Sequence, residues 1–128
     1  MKSVCLIDDD AIYLLLAKHL ISRNNLTTTV WEYSDGYEAF QALEKMHANG
    51  EALPDVVLLD INMPIWDGWD FLDNFEKLDL APFPEIYIVT SSSHLLDRTK
   101  AASYAIVKGM LNKPLEINDL VSIFKKEN

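Results

Sequence analysis

The chain of 128 residues contains one cysteine, four glycines and five prolines, and only 11 basic side chains against 20 acidic ones. One cysteine excludes an internal disulfide, and none of the three histidines stands at ligand spacing from it or from another histidine, so no Cys/His zinc cluster is expected. The shortage of positive charge leaves a formal net charge of −9 and argues against nucleic acid or an anionic membrane as a partner. Long hydrophobic runs are missing as well. The N-terminal run Val4–Ile7 ends in carboxylates, too soon for a secretory signal, and nothing later approaches membrane-spanning length. There is no repeat, no low-complexity tract and no linker. What is present is a 49% apolar content, enough for a real core, in a length that fits one domain. The expectation is one soluble, cytoplasmic domain over residues 1–128.

The charge is uneven. Residues 51–85 carry nine acids and one base, residues 1–50 seven acids and four bases, and residues 86–128 four acids and six bases. A solvated acidic face explains most of the central block. Across the chain, short apolar runs alternate with segments of helical period. The runs are Val4–Ile7, Thr27–Trp31, Val56–Leu59, Ile86–Val89 and about Val107–Leu111, each of strand length. Between them lie helical stripes: Ile12, Leu15, Leu16, His19 and Leu20; Phe40, Leu43, Met46 and His47; Phe71, Phe75 and Leu78; and Ile117, Leu120, Val121 and Phe124. The segment from about His94 to Tyr104 has only a thin stripe of Leu95, Thr99 and Ala102, so little burial is expected to anchor it. Five strand–helix units in this length predict one open, doubly wound parallel α/β sheet, whose sites form beyond the carboxyl ends of its strands.

Those ends carry Asp8-Asp9-Asp10, Asp60, Thr90-Ser91 and Lys113-Pro114. One aspartate of the first group, Asp10, is expected to cap the following helix, but three caps are not needed. Asp9 and Asp60 over one sheet edge would repel by about 4 kcal/mol if unit charges stood 4 Å apart at an effective dielectric of 20. A divalent cation would relieve that repulsion, and all-oxygen ligation by few protein groups favours Mg²⁺. Carboxylates, a cation, a hydroxyl and a lysine around one point suit phosphoryl transfer, with a carboxylate able to act as nucleophile.

These motifs resemble those of the receiver (CheY-like) domain of two-component response regulators, over essentially the whole chain. The matching segments are Leu6-Ile7-Asp8-Asp9, Asp55 through Pro64 with Asp67-Gly68, Val89-Thr90-Ser91 and Lys113-Pro114. The resemblance implies a flavodoxin-like sheet of strand order 2-1-3-4-5 with five helices. It implies that Asp60 is a phosphoacceptor for a phosphohistidine on a sensor histidine kinase or a histidine phosphotransfer protein. It implies Mg²⁺ held by Asp9, Asp60 and the backbone carbonyl of Asn62, with Asp8 acting through water. Lys113 would pair with a phosphoryl oxygen, Thr90 would turn its hydroxyl toward the phosphoryl group, and backbone N–H groups near Asn62 and Ser91 would complete the cradle. Asn62 and Ser92 occupy positions whose side chains tune the phosphate's lifetime, and Lys113-Pro114 would be cis.

Two departures accompany the match. Met110 stands where many receivers place a mobile aromatic residue, and no glycine precedes the fifth strand, where Tyr104-Ala105 lead straight in. Phosphorylation is expected to shift residues 90–111, and so the surface of the fourth helix, fifth strand and fifth helix. A receiver ending at residue 128 would lack an output domain and would signal to a downstream protein target, as a monomer or weak dimer.

Elsewhere the plain explanations lead. Cys5 reads as a small buried hydrophobe, and His19 and His47 as packing residues beside apolar helix faces. His94 has no sequence partner, and Ser92 or Ser93 reads as a helix cap. Trp66 and Trp69 bracket Asp67-Gly68, where core packing explains at least one and an exposed Trp66 would suggest docking. The first helix is apolar beyond one stripe, through Tyr13, Leu14, Ala17 and Ile21, which offers either a partner patch or a wide buried face.

Three rivals bear on function. A haloacid-dehalogenase-like phosphatase would use Asp8, Asp10, Thr90 and Lys113, but would leave Asp60 unexplained. A flavodoxin-like FMN protein is opposed by three aspartates where a phosphate loop belongs. A pseudo-receiver would bind partners without phosphorylation.

Overall fold

The computed structural model describes residues 2–91 and 95–125. Its elements alternate as the periodicity predicts: β1 Val4–Ile7, α1 Ala11–Arg23, β2 Val30–Tyr33, α2 Gly36–Ala48, β3 Val56–Leu59, α3 Gly68–Phe75, β4 Glu85–Thr90, α4 Leu95–Ala102, β5 Val107–Asn112 and α5 Ile117–Phe124. The five strands form one parallel sheet in the order β2-β1-β3-β4-β5. One core, on the α1 and α5 face, gathers Leu6, Leu58, Val89, Leu120 and Phe124; the other, on the α2–α4 face, gathers Ile7, Leu59, Phe71, Phe75 and Ile88. The three central strands are therefore covered on both sides, which is why Val4–Ile7 and Val56–Leu59 read as unbroken apolar runs. No helix among the described residues is long and apolar enough to cross a membrane.

The register places the site. Ile7 lies opposite Leu59, so β1 and β3 end level and Asp8 and Asp60 leave the sheet together. The hydrogen-bond ladder continues past the strand ends: Asp8 N–H donates to Tyr33 O (3.0 Å), Asp60 N–H to Ile7 O (2.9 Å) and Lys113 N–H to Thr90 O (3.0 Å). The backbones of these three residues are thereby fixed by the sheet rather than left to loops.

Five expectations from the sequence need correction. β2 begins at Val30 rather than Thr27; the Thr27 hydroxyl accepts the Thr29 N–H at 3.2 Å, so the threonines form an entry turn instead of ladder. α1 buries Tyr13, Leu14, Ala17 and Ile21, while Ile12, Leu15 and Leu16 are 71%, 64% and 55% exposed. The first seven positions of that helix are all apolar, so periodicity could not choose its inward face. α3 stops at Phe75 and passes through a single 3-10 turn, Glu76–Leu78, to a left-handed Asp79 (φ 51°). In α4 the buried residue is Ala101; Leu95, Thr99 and Ala102 face solvent. His19 and His47 are exposed rather than packed, and Ser92, Ser93 and His94 lie outside the described residues.

Candidate functional site

Asp10 caps α1, accepting the backbone N–H of Ile12 (3.0 Å) and Tyr13 (3.2 Å). That leaves the other two aspartates for the sheet edge. Asp8 is buried and Asp9 exposed. Asp8 Oδ1 accepts the Asp10 N–H at 2.9 Å, while Asp8 Oδ2 faces the Lys113 ammonium at 2.7 Å. Asp60 is buried at the end of β3, its Oδ1 3.7 Å from the same ammonium. One carboxylate oxygen from each of Asp8, Asp9 and Asp60 lies within 4.8 Å of the others.

Three carboxylates and one lysine do not balance. Burial pushes the Asp60 carboxyl up to about 6, and the Asp8 charge adds to the rise; Lys113 and a hydrogen bond from the Asn62 backbone N–H oppose it. Asp8 is raised too, chiefly by burial, against the pull of Lys113. The Lys113 ammonium is the close partner of Asp8 Oδ2, at 2.7 Å. A triad of hard carboxylate oxygens within 4.8 Å of one another, sharing the Lys113 ammonium, fits a small divalent cation of the Mg²⁺ class.

Thr90 is buried at the end of β4 and Ser91 is exposed beside it. Asn62 is exposed two residues after Asp60, Met110 is half-buried in β5 against the α2–α4 core, and Ser92 lies outside the described residues. Lys113-Pro114 is cis, as the resemblance implied, and so is Ala81-Pro82, which the sequence reading did not foresee.

The loop after β3 is clamped from two sides. A Cβ on Gly68 would stand 2.6 Å from the Asp60 carbonyl oxygen, and one on Gly36 would stand 2.7 Å from the Trp66 carbonyl oxygen, which the Gly36 N–H reaches at 3.1 Å. Both glycines are needed for close approach, where the sequence offered only punctuation. Trp66 is half-buried and sits between Tyr37 (ring centroids 5.0 Å apart) and Phe40 (5.4 Å), so it belongs to the clamp. Trp69 stacks on Tyr104 at 5.8 Å. Tyr13 was the residue missed: its ring lies under Lys113, with the ammonium 4.5 Å from the ring centroid. No spacing rule joins positions 13 and 113.

Beside the site, Leu16, exposed on α1 like Ile12 and Leu15, lines an apolar cavity of about 200 Å³ together with Tyr13, Leu20, Pro114 and Leu115. Tyr13, Leu14, Ala17 and Ile21, offered as a partner patch or a wide buried face, are thus the buried face of α1, and the apolar surface is the stripe expected to be core.

Comparison with known proteins agrees with this geometry. The family model described as the response regulator receiver domain matches residues 4–125. The chain is 29% identical over 118 residues to the probable methanogenesis regulatory protein FilR2 of Methanothrix harundinacea, covering 91% of this chain and 75% of that one. It is 31% identical over 119 residues to the nitrate/nitrite response regulator NarL of Escherichia coli K12, covering 93% of this chain but only 51% of NarL. Among solved structures, a two-component response regulator from Cytophaga hutchinsonii superposes with a TM-score of 0.85 at 28% identity, covering 98% of this chain and 97% of that one. The Vibrio cholerae chemotaxis protein CheY4 shares the fold, with a TM-score of 0.80 at 22% identity over 98% of both chains.

Proposed function

The chain belongs to the response regulator receiver domain family, and from that premise we propose that it takes a phosphoryl group onto Asp60 from a phosphohistidine donor in a phosphorelay. A carboxylate oxygen of Asp60 attacks phosphorus in line, the phosphorus–nitrogen bond breaks, and the imidazole leaves and takes up a proton. The observation that carries this reading is the placement of a buried Asp60 between two further carboxylates and the Lys113 ammonium, 3.7 Å away.

Each neighbour has a task. Asp9, Asp60 and the Asn62 carbonyl would hold Mg²⁺ directly, with Asp8 acting through water, and Thr90 and Lys113 would each face one phosphoryl oxygen. Bound there, the ion would neutralise charge shared by the carboxylates and the transferred group. Lys113 pairs with Asp8 at 2.7 Å and stands 3.7 Å from Asp60, so its ammonium is within reach of a phosphoryl oxygen on Asp60 and would exchange the Asp8 ion pair for one to that oxygen. Backbone N–H groups near Asn62 and Ser91 complete the cradle, and the side chains at Asn62 and Ser92 set the lifetime of the acyl phosphate. The chain catalyses only its own phosphorylation and hydrolysis and is otherwise not an enzyme.

The donor, a sensor histidine kinase or a histidine phosphotransfer protein, docks on Ile12, Leu15, Leu16 and the cavity at Pro114, an apolar surface beside the site. Phosphorylation then changes the α4–β5–α5 surface, through which a monomer or weak dimer in the cytoplasm controls a downstream protein or passes the phosphate on. Residues 1–128 act in this reading as one receiver domain. Backbone NMR shifts in residues 90–111 are expected on phosphorylation; unchanged shifts there would remove the output proposal.

The chemical test is intact mass after incubation with Mg²⁺ and acetyl phosphate. A labile adduct of one phosphoryl group, absent from Asp60→Asn, is expected. No adduct under any condition would favour the pseudo-receiver, and an adduct on Asp8 would favour a haloacid-dehalogenase-like phosphatase.

A further inference from the structure

Lys113 is a long, flexible, strongly hydrated side chain asked to hold a fixed position. Its anionic neighbours are Asp8 at 2.7 Å and Asp60 at 3.7 Å. In the proposed reaction both of these change: Asp60 becomes an acyl phosphate, and Asp8 turns to a metal-bound water. A third neighbour does not change. The ring of Tyr13 lies 4.5 Å below the ammonium. Tyr13 is only 9% exposed and sits in the first turn of α1, where its N–H is tied to the capping carboxylate of Asp10. The Lys113 side chain is itself only 18% exposed, so the contact is largely shielded from water, where an ammonium over an aromatic face is held most strongly.

We propose that Tyr13 is a positioning residue for the phosphoryl-transfer step, its ring face holding the Lys113 ammonium in place while the charges on Asp8 and Asp60 are redistributed. The inference rests on the receiver reading of Asp60. The ring carries the role, not the hydroxyl. The Tyr13 hydroxyl is buried and has no hydrogen-bond partner among the described residues, so nothing in the site depends on it. A leucine or methionine at position 13 would keep the apolar packing of α1 and lose the π face, whereas a phenylalanine would keep both.

The test compares the wild-type chain with Tyr13→Phe, Tyr13→Leu and Tyr13→Met. Phosphorylation by acetyl phosphate in Mg²⁺ is followed by intact mass, and the Lys113 ε-methylene resonance is followed by NMR. Acetyl phosphate needs no docking surface, so the cavity that Tyr13 also lines does not enter the readout. Tyr13→Phe is expected to keep the wild-type rate, while Tyr13→Leu loses about tenfold, the rate equivalent of a shielded cation–π contact. Mg²⁺ affinity, read from tryptophan fluorescence, should stay within about twofold in all variants, because Asp9, Asp60 and Asn62 are untouched. The ring-current shift of the Lys113 ε-protons should persist in Tyr13→Phe and vanish in Tyr13→Leu. If Tyr13→Leu fails to fold, Tyr13→Met, which fills the space with a flexible thioether, takes its place. A wild-type rate in the leucine or methionine variant, or an equal loss in Tyr13→Phe, would overturn the proposal. A wild-type chain that takes no phosphate at all would instead remove the receiver reading, and this inference with it.

Discussion

Helices α3 and α4 have eight residues each and pack on the same face of the sheet, yet they are held in opposite ways. α3 begins with a reciprocal capping box, in which Asp67 accepts the Asp70 N–H (2.9 Å) and Asp70 accepts the Asp67 N–H (3.1 Å). It then buries Phe71, Leu72 and Phe75 completely. α4 buries only Ala101 and exposes Leu95 and Leu96 at 76% and 81%. What ties the α4 end to α3 is a surface brace: Tyr104 donates to the Asp73 carboxylate at 2.6 Å and stacks on Trp69, over which Lys100 stands at 4.8 Å. The helix that follows Asp60 is anchored like a core element, whereas the helix in the proposed output surface is attached by polar and aromatic contacts. Under the proposed function, the firmer anchoring falls beside the chemistry and the lighter anchoring in the output surface.

The contrast can be broken or sharpened by substitution. The largest effect is expected at Phe75→Ala, a loss of about 3–5 kcal/mol in denaturant unfolding from the cavity left in α3. A loss under about 1 kcal/mol would mean that α3 is no better anchored than α4. Gly68→Ala should cost about 1–3 kcal/mol and slow phosphorylation of Asp60, because its Cβ would meet the Asp60 carbonyl oxygen at 2.6 Å and push the loop off the site.

The site itself is a place where stability is given up. The Asp60 carboxyl is raised from 3.8 to about 6, so the folded state holds its proton more tightly than the unfolded chain does. Its stabilising contribution is fully present below pH 4 and is lost as pH rises through about 6. Without metal, Asp60→Asn is therefore expected to be more stable than the wild type at pH 7 by about 1–3 kcal/mol, and equal to it below about pH 4. Melting curves at the two pH values check this, and addition of Mg²⁺ should narrow the gap at pH 7 by stabilising only the wild type. A smaller effect is expected in the brace: Tyr104→Phe should cost about 0.5–1.5 kcal/mol and raise amide exchange in α4 while leaving α3 protected. Smallest of all, Leu95→Ser and Leu96→Ser should change stability by less than about 0.5 kcal/mol, with any functional loss read as loss of partner binding.

Much of this was legible in the sequence, for reasons that differ by residue. The strands Val4–Ile7 and Val56–Leu59 were readable to the residue because burial on both faces leaves an unbroken apolar run bounded by polar residues. Asp8, Asp60, Thr90 and Lys113 were readable because strand ends in a parallel sheet are level, so residues distant in sequence meet there. The inward face of α1 was not readable, since its first seven residues are all apolar and carry no phase of their own. The Trp69–Tyr104 brace and the ring of Tyr13 beneath Lys113 escaped for another reason. Each is a contact between elements, set by how helices settle on the sheet, and neither has a local signature in the chain.

The most direct measurement is to locate the phosphoryl group chemically. After reaction with acetyl phosphate and Mg²⁺, borohydride reduction converts an aspartyl phosphate to homoserine, and peptide mass spectrometry reads the position. Homoserine at position 60, and at no other aspartate, is the expected result. An unreduced Asp60 in a chain that has taken up phosphate, or homoserine at Asp8 or Asp9, would contradict the assignment of Asp60 as phosphoacceptor.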